Sequence, residues 1–123
     1  MSTSIHDFHD DPRNAHIKIW LNGQLKPRAE AMVSVFDSGF VLGDGVWEGF
    51  RVVAGQPVFL DAHLDRLFEG AKAIALDIGL SRAELKIAIS DTLKANGMRD
   101  DVHVRLMVTR GVKRTPYQDP RAC

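Results

Sequence analysis

The sequence contains a single cysteine, Cys123, among 123 residues. An intrachain disulfide is thereby excluded, and a lone thiol suits a reducing compartment. No apolar run approaches the length needed to span a bilayer, and the opening MSTSIHDFHDDPRNAH has no apolar signal core. The expectation is a cytoplasmic protein without a membrane segment. An excess of one charge is also missing, because sixteen Lys and Arg balance sixteen Asp and Glu. Broad attraction to nucleic acid or to a membrane is not expected, so any cationic function has to be local. There is no P-loop, no zinc-type Cys/His set and no G-x-S-x-G. Internal repeats and low-complexity tracts are absent as well.

What is present has the proportions of a soluble globular protein, 45% hydrophobic and 26% charged, at a length that fits one domain. The first stretch is rich in His6, Asp7, His9, Asp10, Asp11 and His16. Imidazole and carboxylate are metal ligands, but spacing this irregular does not preorganise a site. Residues 1–16 therefore read as a solvated arm, and no metal is expected.

HIKIWLNGQLKP alternates Ile17, Ile19 and Leu21 with Lys18 and Trp20, then meets Asn22-Gly23. Asn-Gly supplies the positive φ angles of a tight hairpin turn. Residues 29–45, with Gly39, Gly43 and Gly45 among apolar neighbours, suggest a buried, bent connection. VWEGFRVV reads as a strand with Val46, Glu48, Phe50 and Val52 on one side and Trp47, Gly49, Arg51 and Val53 on the other. It turns through Ala54-Gly55 toward a helix in which Leu64, Leu67, Phe68 and Ala71 share a face and which Asp61 is placed to cap. A second helix opens on a Ser81/Glu84 capping box, with Leu80 stapled to Leu85, and ends at Asn96-Gly97. VHVRLMVT is a third clear strand, Val102, Val104, Leu106 and Val108 facing away from His103, Arg105, Met107 and Thr109. Hairpin, helix, helix, strand is not a βαβ alternation. The fold class expected is α+β, a small largely antiparallel sheet with two helices packed on one face. The domain would span 17–110, with 111–123 a linker-like loop.

Trp47, Gly49 and Arg51 would share a surface with His103, Arg105 and Met107 if their strands belong to one sheet. Cations, an aromatic ring and a gap at glycine suit a small anionic ligand, although arginines on half-exposed strands are also commonly solvent-facing. Arg66 has two readings of the same kind: an ion pair with Glu69 one turn on, or a cation for an anion, with Gly70 leaving room beside it. Glu48, on an otherwise apolar strand face, reads as a buried ion pair or hydrogen-bonded carboxylate.

FDSGFVLGDGVWEGFR, FLDAHLDRLFEGAKAI and HVRLMVTRG, in this order, resemble the N-terminal domain of class IV aminotransferases, the fold-type-IV pyridoxal phosphate enzymes. That family includes branched-chain and D-amino-acid aminotransferases. The resemblance runs from about Ile17 to Arg121. It implies a small domain packed on a larger cofactor-holding domain, usually in a homodimer, acting on an amino acid and a 2-oxo acid. Arg66 matches the arginine of H-x-x-R-L that grips the phosphate of pyridoxal 5'-phosphate. Trp47, Gly49 and Arg51 match the aromatic-x-Gly-x-Arg pattern of the substrate pocket. His103 and Arg105 fall where the branched-chain group has a tyrosine and an arginine. Arg110, in VTRG, resembles the D-amino-acid group and is a second candidate for the substrate carboxylate.

The resemblance also places the Schiff-base lysine in the second domain. Lys18, Lys26, Lys72, Lys86, Lys94 and Lys113 do not match its position, so no catalytic residue is assigned within this chain. The implied reaction is transfer of an amino group to 2-oxoglutarate, a branched-chain L-amino acid being the first donor to consider. D-amino acids or amines, an aminodeoxychorismate lyase-like reaction and a non-catalytic interaction module are the alternatives.

Overall fold

The protein is described by a computed structural model over residues 10–114. Its regular elements are β1 (Lys18–Leu21), β2 (Gln24–Pro27), α1 (Ser38–Leu42), β3 (Gly45–Val53), β4 (Gln56–Pro57), α2 (Leu60–Ala73), α3 (Arg82–Ala95) and β5 (Val102–Thr109). All strand pairs are antiparallel. β4, β3 and β5 form one sheet in that order, and β1 and β2 form a separate two-stranded sheet. The α+β reading holds, with the first hairpin standing apart from the main sheet.

Local signals act where they were expected. Asn22 and Gly23 both have positive φ, 50° and 88°, and close the β1–β2 hairpin. Ala54 and Gly55, at 51° and 76°, do the same between β3 and β4. The Ser81 hydroxyl accepts from Glu84 N–H while the Glu84 carboxylate accepts from Ser81 N–H, a complete capping box. α3 stops at Asn96, followed by Gly97 at φ 59°.

The core lies between the aliphatic face of the main sheet and the two helices. Phe50 and Val52 of β3 pack with Ile89 and Leu93 of α3. Leu64 and Leu67 of α2 pack with Leu85 of α3, against Val46 and Leu106. Side-chain alternation on β3 and β5 decides which residues enter this layer and which are left on the far face.

Two local expectations are corrected, and the end of the N-terminal arm makes a defined contact. Asp61 is not the cap of α2; the capping position is Phe59, in the left-handed region at φ 54° with no side-chain hydrogen bond. Asp61 instead pairs with Lys86 across the helices at 2.7 Å. Residues 29–45 are bent but not buried: Met32, Val33, Val35, Phe36 and Phe40 are all exposed, although Ser38 is enclosed. The end of the N-terminal arm is docked, because Asp11 caps a 3-10 turn at Pro12–Asn14 and Arg13 donates to the carbonyls of Asp100 and Asp101 at 2.9 and 2.7 Å. His6, Asp7 and His9 lie outside the described residues.

The segment after β5 also begins in contact. Gly111 O accepts from Ser38 N–H at 2.8 Å, and Lys113 N–H donates to Phe36 O at 2.9 Å. Residues 115–123 of the expected linker lie outside the described residues. Among the described residues no helix is long and apolar enough to cross a membrane, and no group of three metal-ligating side chains occurs.

Candidate functional site

β3 and β5 are direct neighbours, and their register settles whether the two polar faces coincide. Trp47 pairs with Met107, Gly49 with Arg105, and Arg51 with His103. Directly opposed residues project to the same side, so these six make one surface. Trp47, Arg51, His103, Arg105 and Met107 are all exposed on it. The Arg105 guanidinium lies 4.6 Å from the centre of the Trp47 ring, a cation–π contact between diagonal neighbours. The gap expected at Gly49 is already taken. A Cβ there would stand 3.0 Å from His103 Nε2, so the imidazole rests where a side chain would have been. Glycine's role at this position is to admit His103.

Arg66 belongs to the other side of the same strand. It reaches β3 from α2, and its partner is Glu48, not Glu69. Nε donates to both carboxylate oxygens at 3.1 and 2.9 Å, and Nη2 donates to Oε1 at 2.8 Å. His63, one turn earlier, places Nδ1 2.7 Å from Oε1. Because the carboxylate can only accept, that nitrogen carries the proton. The His63 ring also packs 5.5 Å from Phe50, centre to centre. Glu48 is 4% exposed, whereas the Arg66 side chain is 71% exposed. The carboxylate is thus sealed by the arginine that lies over it. The ordinary reading of Glu48 as a buried ion pair is what the structure contains.

The space expected beside Gly70 has a different use: a Cβ there would meet Val46 Cγ1 at 3.3 Å. The missing side chain lets α2 approach β3 and so brings Arg66 within reach of Glu48. Hydrogen bonding from Arg66 is the main cause holding the Glu48 carboxyl below its usual range; burial opposes this and His63 adds to it. A depressed folded-state pKa contributes stability that is present above the unfolded carboxylate range and is lost as pH falls through the folded value. Acid destabilisation is therefore expected to set in below about pH 4. Glu48→Gln should remove part of that slope, as read from urea midpoints across acidic pH. An unchanged slope would mean the pair is not formed in solution.

Arg110 is not brought to either place. Nε and Nη2 grip Asp44 at 2.7 and 3.3 Å. Nη1 and Nη2 also donate to the carbonyls of Ala75 and Ile74 at 3.1 and 2.7 Å. These carbonyls lie just past the end of α2, where unsatisfied acceptors and the negative end of the helix dipole favour a cation. The guanidinium is thus engaged within the chain, on a side chain 16% exposed. Its partners are 35 to 66 residues away, beyond what spacing within VTRG could reveal.

A groove of 1130 Å³ lies between α3 and the β3–β4 turn, lined by Phe59, Lys86 and Arg99, and does not include the arginine face. A second cavity, about 430 Å³, has His103, Arg105 and Met107 of β5 among its lining residues. Of the lysines, Lys86 pairs with Asp61 and Lys113 is buried.

The amino-transferase class IV family matches residues 45–123, well over half of the chain. The chain belongs to the class IV aminotransferase family. Branched-chain-amino-acid aminotransferase-like protein 1 of Arabidopsis thaliana is 49% identical over 109 residues, covering 89% of this chain and 20% of its own length. D-alanine aminotransferase of Bacillus licheniformis is 39% identical and covers 77% of this chain and 33% of its own. Among solved structures, a branched-chain aminotransferase of Thermoproteus uzoniensis with norvaline is similar, with a TM-score of 0.71 and 32% identity over 85% of this chain and 35% of that one. An aminodeoxychorismate lyase is also related. The chain thus spans between a fifth and about a third of the length of these relatives. Class IV aminotransferases use pyridoxal phosphate, and two related structures contain a phosphopyridoxyl-glutamate and pyridoxamine phosphate. The fold is that of the family's small N-terminal domain.

Proposed function

We propose that this chain is the substrate-side domain of a pyridoxal phosphate aminotransferase that moves an amino group between an amino acid and a 2-oxo acid. The observation that carries the reading is the guanidinium of Arg66. One edge is gripped by Glu48, and the other edge, on a largely exposed side chain, is available to a phosphate in the fork geometry that guanidinium offers. When bound, the cofactor supplies the electron sink for amino transfer. This chain supplies binding and orientation. Arg66 holds the phosphate. On the opposite face of β3 and β5 from Glu48, Arg105, Arg51 and His103 present donors to a substrate carboxylate, and Trp47 steadies Arg105.

The first donor to test is a branched-chain L-amino acid with 2-oxoglutarate as acceptor, a choice supported by the names of the 49% identical plant relative and the archaeal structure. D-amino acids, amines and a lyase reaction follow. A homodimer is part of the proposal. The exposed Met32, Val33, Val35, Phe36 and Phe40 make an apolar stretch of the kind that partners cover.

The deciding experiment compares pyridoxal phosphate retention in the full-length protein before and after Arg66→Ala. Loss of charge-assisted hydrogen bonds to the phosphate is expected to weaken binding by roughly 10- to 100-fold. Unaltered retention would remove Arg66 from the phosphate site. Turnover of branched-chain, D- and amine donors in parallel would then identify the substrate class.

A further inference from the structure

We propose that Glu48 is the positioning residue of the phosphate anchor, with His63 as its brace. The inference rests on the reading of Arg66 as that anchor and assigns a function to a carboxylate that touches neither substrate nor cofactor. Arginine has a long flexible stem, and a side chain as exposed as that of Arg66 would sample many rotamers if left alone. Glu48 removes that freedom. It projects from the middle of β3, is 4% exposed, and takes Arg66 by Nε and Nη2 together. Two donors held on one edge fix the plane of the guanidinium as well as its position. Nη1 and the second hydrogen of Nη2 are then aimed outward before any anion arrives.

His63 completes the arrangement. Its Nδ1–H fills a further lone pair on Oε1 at 2.7 Å, and its ring is packed against Phe50, a core residue. The carboxylate therefore cannot swing toward solvent without giving up a bond to α2. The pairing also sets the electrostatic character of the anchor. Glu48 offsets the charge of Arg66, so the phosphate would be recognised by oriented donors more than by net positive charge. Ordering a side chain before binding reduces what binding must spend on ordering it.

The test uses the full-length protein stripped of cofactor. Affinity is measured for pyridoxal phosphate and for pyridoxal, which lacks the phosphate, in wild type, Glu48→Gln, Arg66→Ala and the double variant. Glu48→Gln is expected to weaken pyridoxal phosphate about tenfold, the scale on which outer partners of a ligating group act. Pyridoxal affinity should not change. The double variant should be no worse than Arg66→Ala alone, because both changes act through one guanidinium. If Arg66→Ala leaves pyridoxal phosphate affinity intact, the anchor reading fails and takes this inference with it. If Arg66→Ala weakens binding but Glu48→Gln does not, only the positioning role is overturned. Equal weakening toward pyridoxal and its phosphate would make Glu48 merely structural and would also overturn it.

Should Glu48→Gln not fold, nitrogen-15 NMR of wild-type arginine side chains decides. The Arg66 Nε–H signal should be distinct and slow to exchange with water before phosphate is added, and should move little at saturating inorganic phosphate. An Nε–H that exchanges as fast as that of a free arginine would overturn the proposal.

Discussion

Arg110→Ala is expected to lower the stability of this chain by about 3 kcal/mol, the cost of leaving a partly buried carboxylate uncompensated and stripping two carbonyls of their donor. The arginine joins three parts of the chain: Asp44 before β3, its own position after β5, and the carbonyls of Ile74 and Ala75 past α2. For a domain of this size such a loss shifts the thermal midpoint by on the order of 15 °C. Urea or thermal unfolding followed by the fluorescence of Trp20 and Trp47 would read it. Arg110→Lys should recover only part of the loss, since an ammonium cannot fork to a carboxylate and two carbonyls in one plane. A variant of full stability that binds substrate poorly in the full-length protein would instead return Arg110 to the substrate pocket.

Leu64→Ala is the second large effect expected, again about 3 kcal/mol, within the range found for deleting buried leucine side chains. Leu64 is 0% exposed and sits between α2 and its neighbours Leu67, Leu85 and Val46. Net stabilities of small domains are only about 5–15 kcal/mol, so this one truncation removes a substantial part. Its local consequence is equally useful. α2 carries His63 and Arg66 one position either side of Leu64 and Asp65, so loosening the helix should also loosen the grip on Glu48. Denaturation of the variant should show the lower midpoint; a loss under 1 kcal/mol would mean the site collapses onto the cavity with unusual ease.

Much of the fold was legible because local chemistry and tertiary packing agree. Strict alternation on β3 and β5 separated Trp47, Gly49 and Arg51 from Glu48 and Phe50, and the observed register then placed the two polar faces together. Asn22-Gly23 and the Ser81/Glu84 box depend on neighbours a few residues away, which is why they could be read directly. The failures have one character. Asp61 has the sequence position of a cap, but Phe59 takes a left-handed conformation and starts α2 without it. The pairing of Arg66 with Glu48 crosses 18 residues, and an arginine on a helix gives no local sign of which strand lies under it. A visible hint was nonetheless present, since Glu48 is the one charged residue on an aliphatic strand face. In residues 29–45 apolar composition does not mean burial, because several of those side chains face outward.

β3 also constrains how this domain can change over evolutionary time. Its odd-numbered residues from Trp47 to Arg51 serve the arginine face, and Glu48 between them serves the helix side. Inserting or deleting one residue within the strand would exchange these sides for everything beyond the change. Trp47 or Arg51 would be driven toward the core, or Glu48 out among cations. Point substitutions can therefore retune the exposed face, coupled where side chains share space as Gly49 and His103 do, but length changes are confined to the turns. Variation in ligand preference should accumulate as replacement along β3 and β5, with the spacing between them left intact.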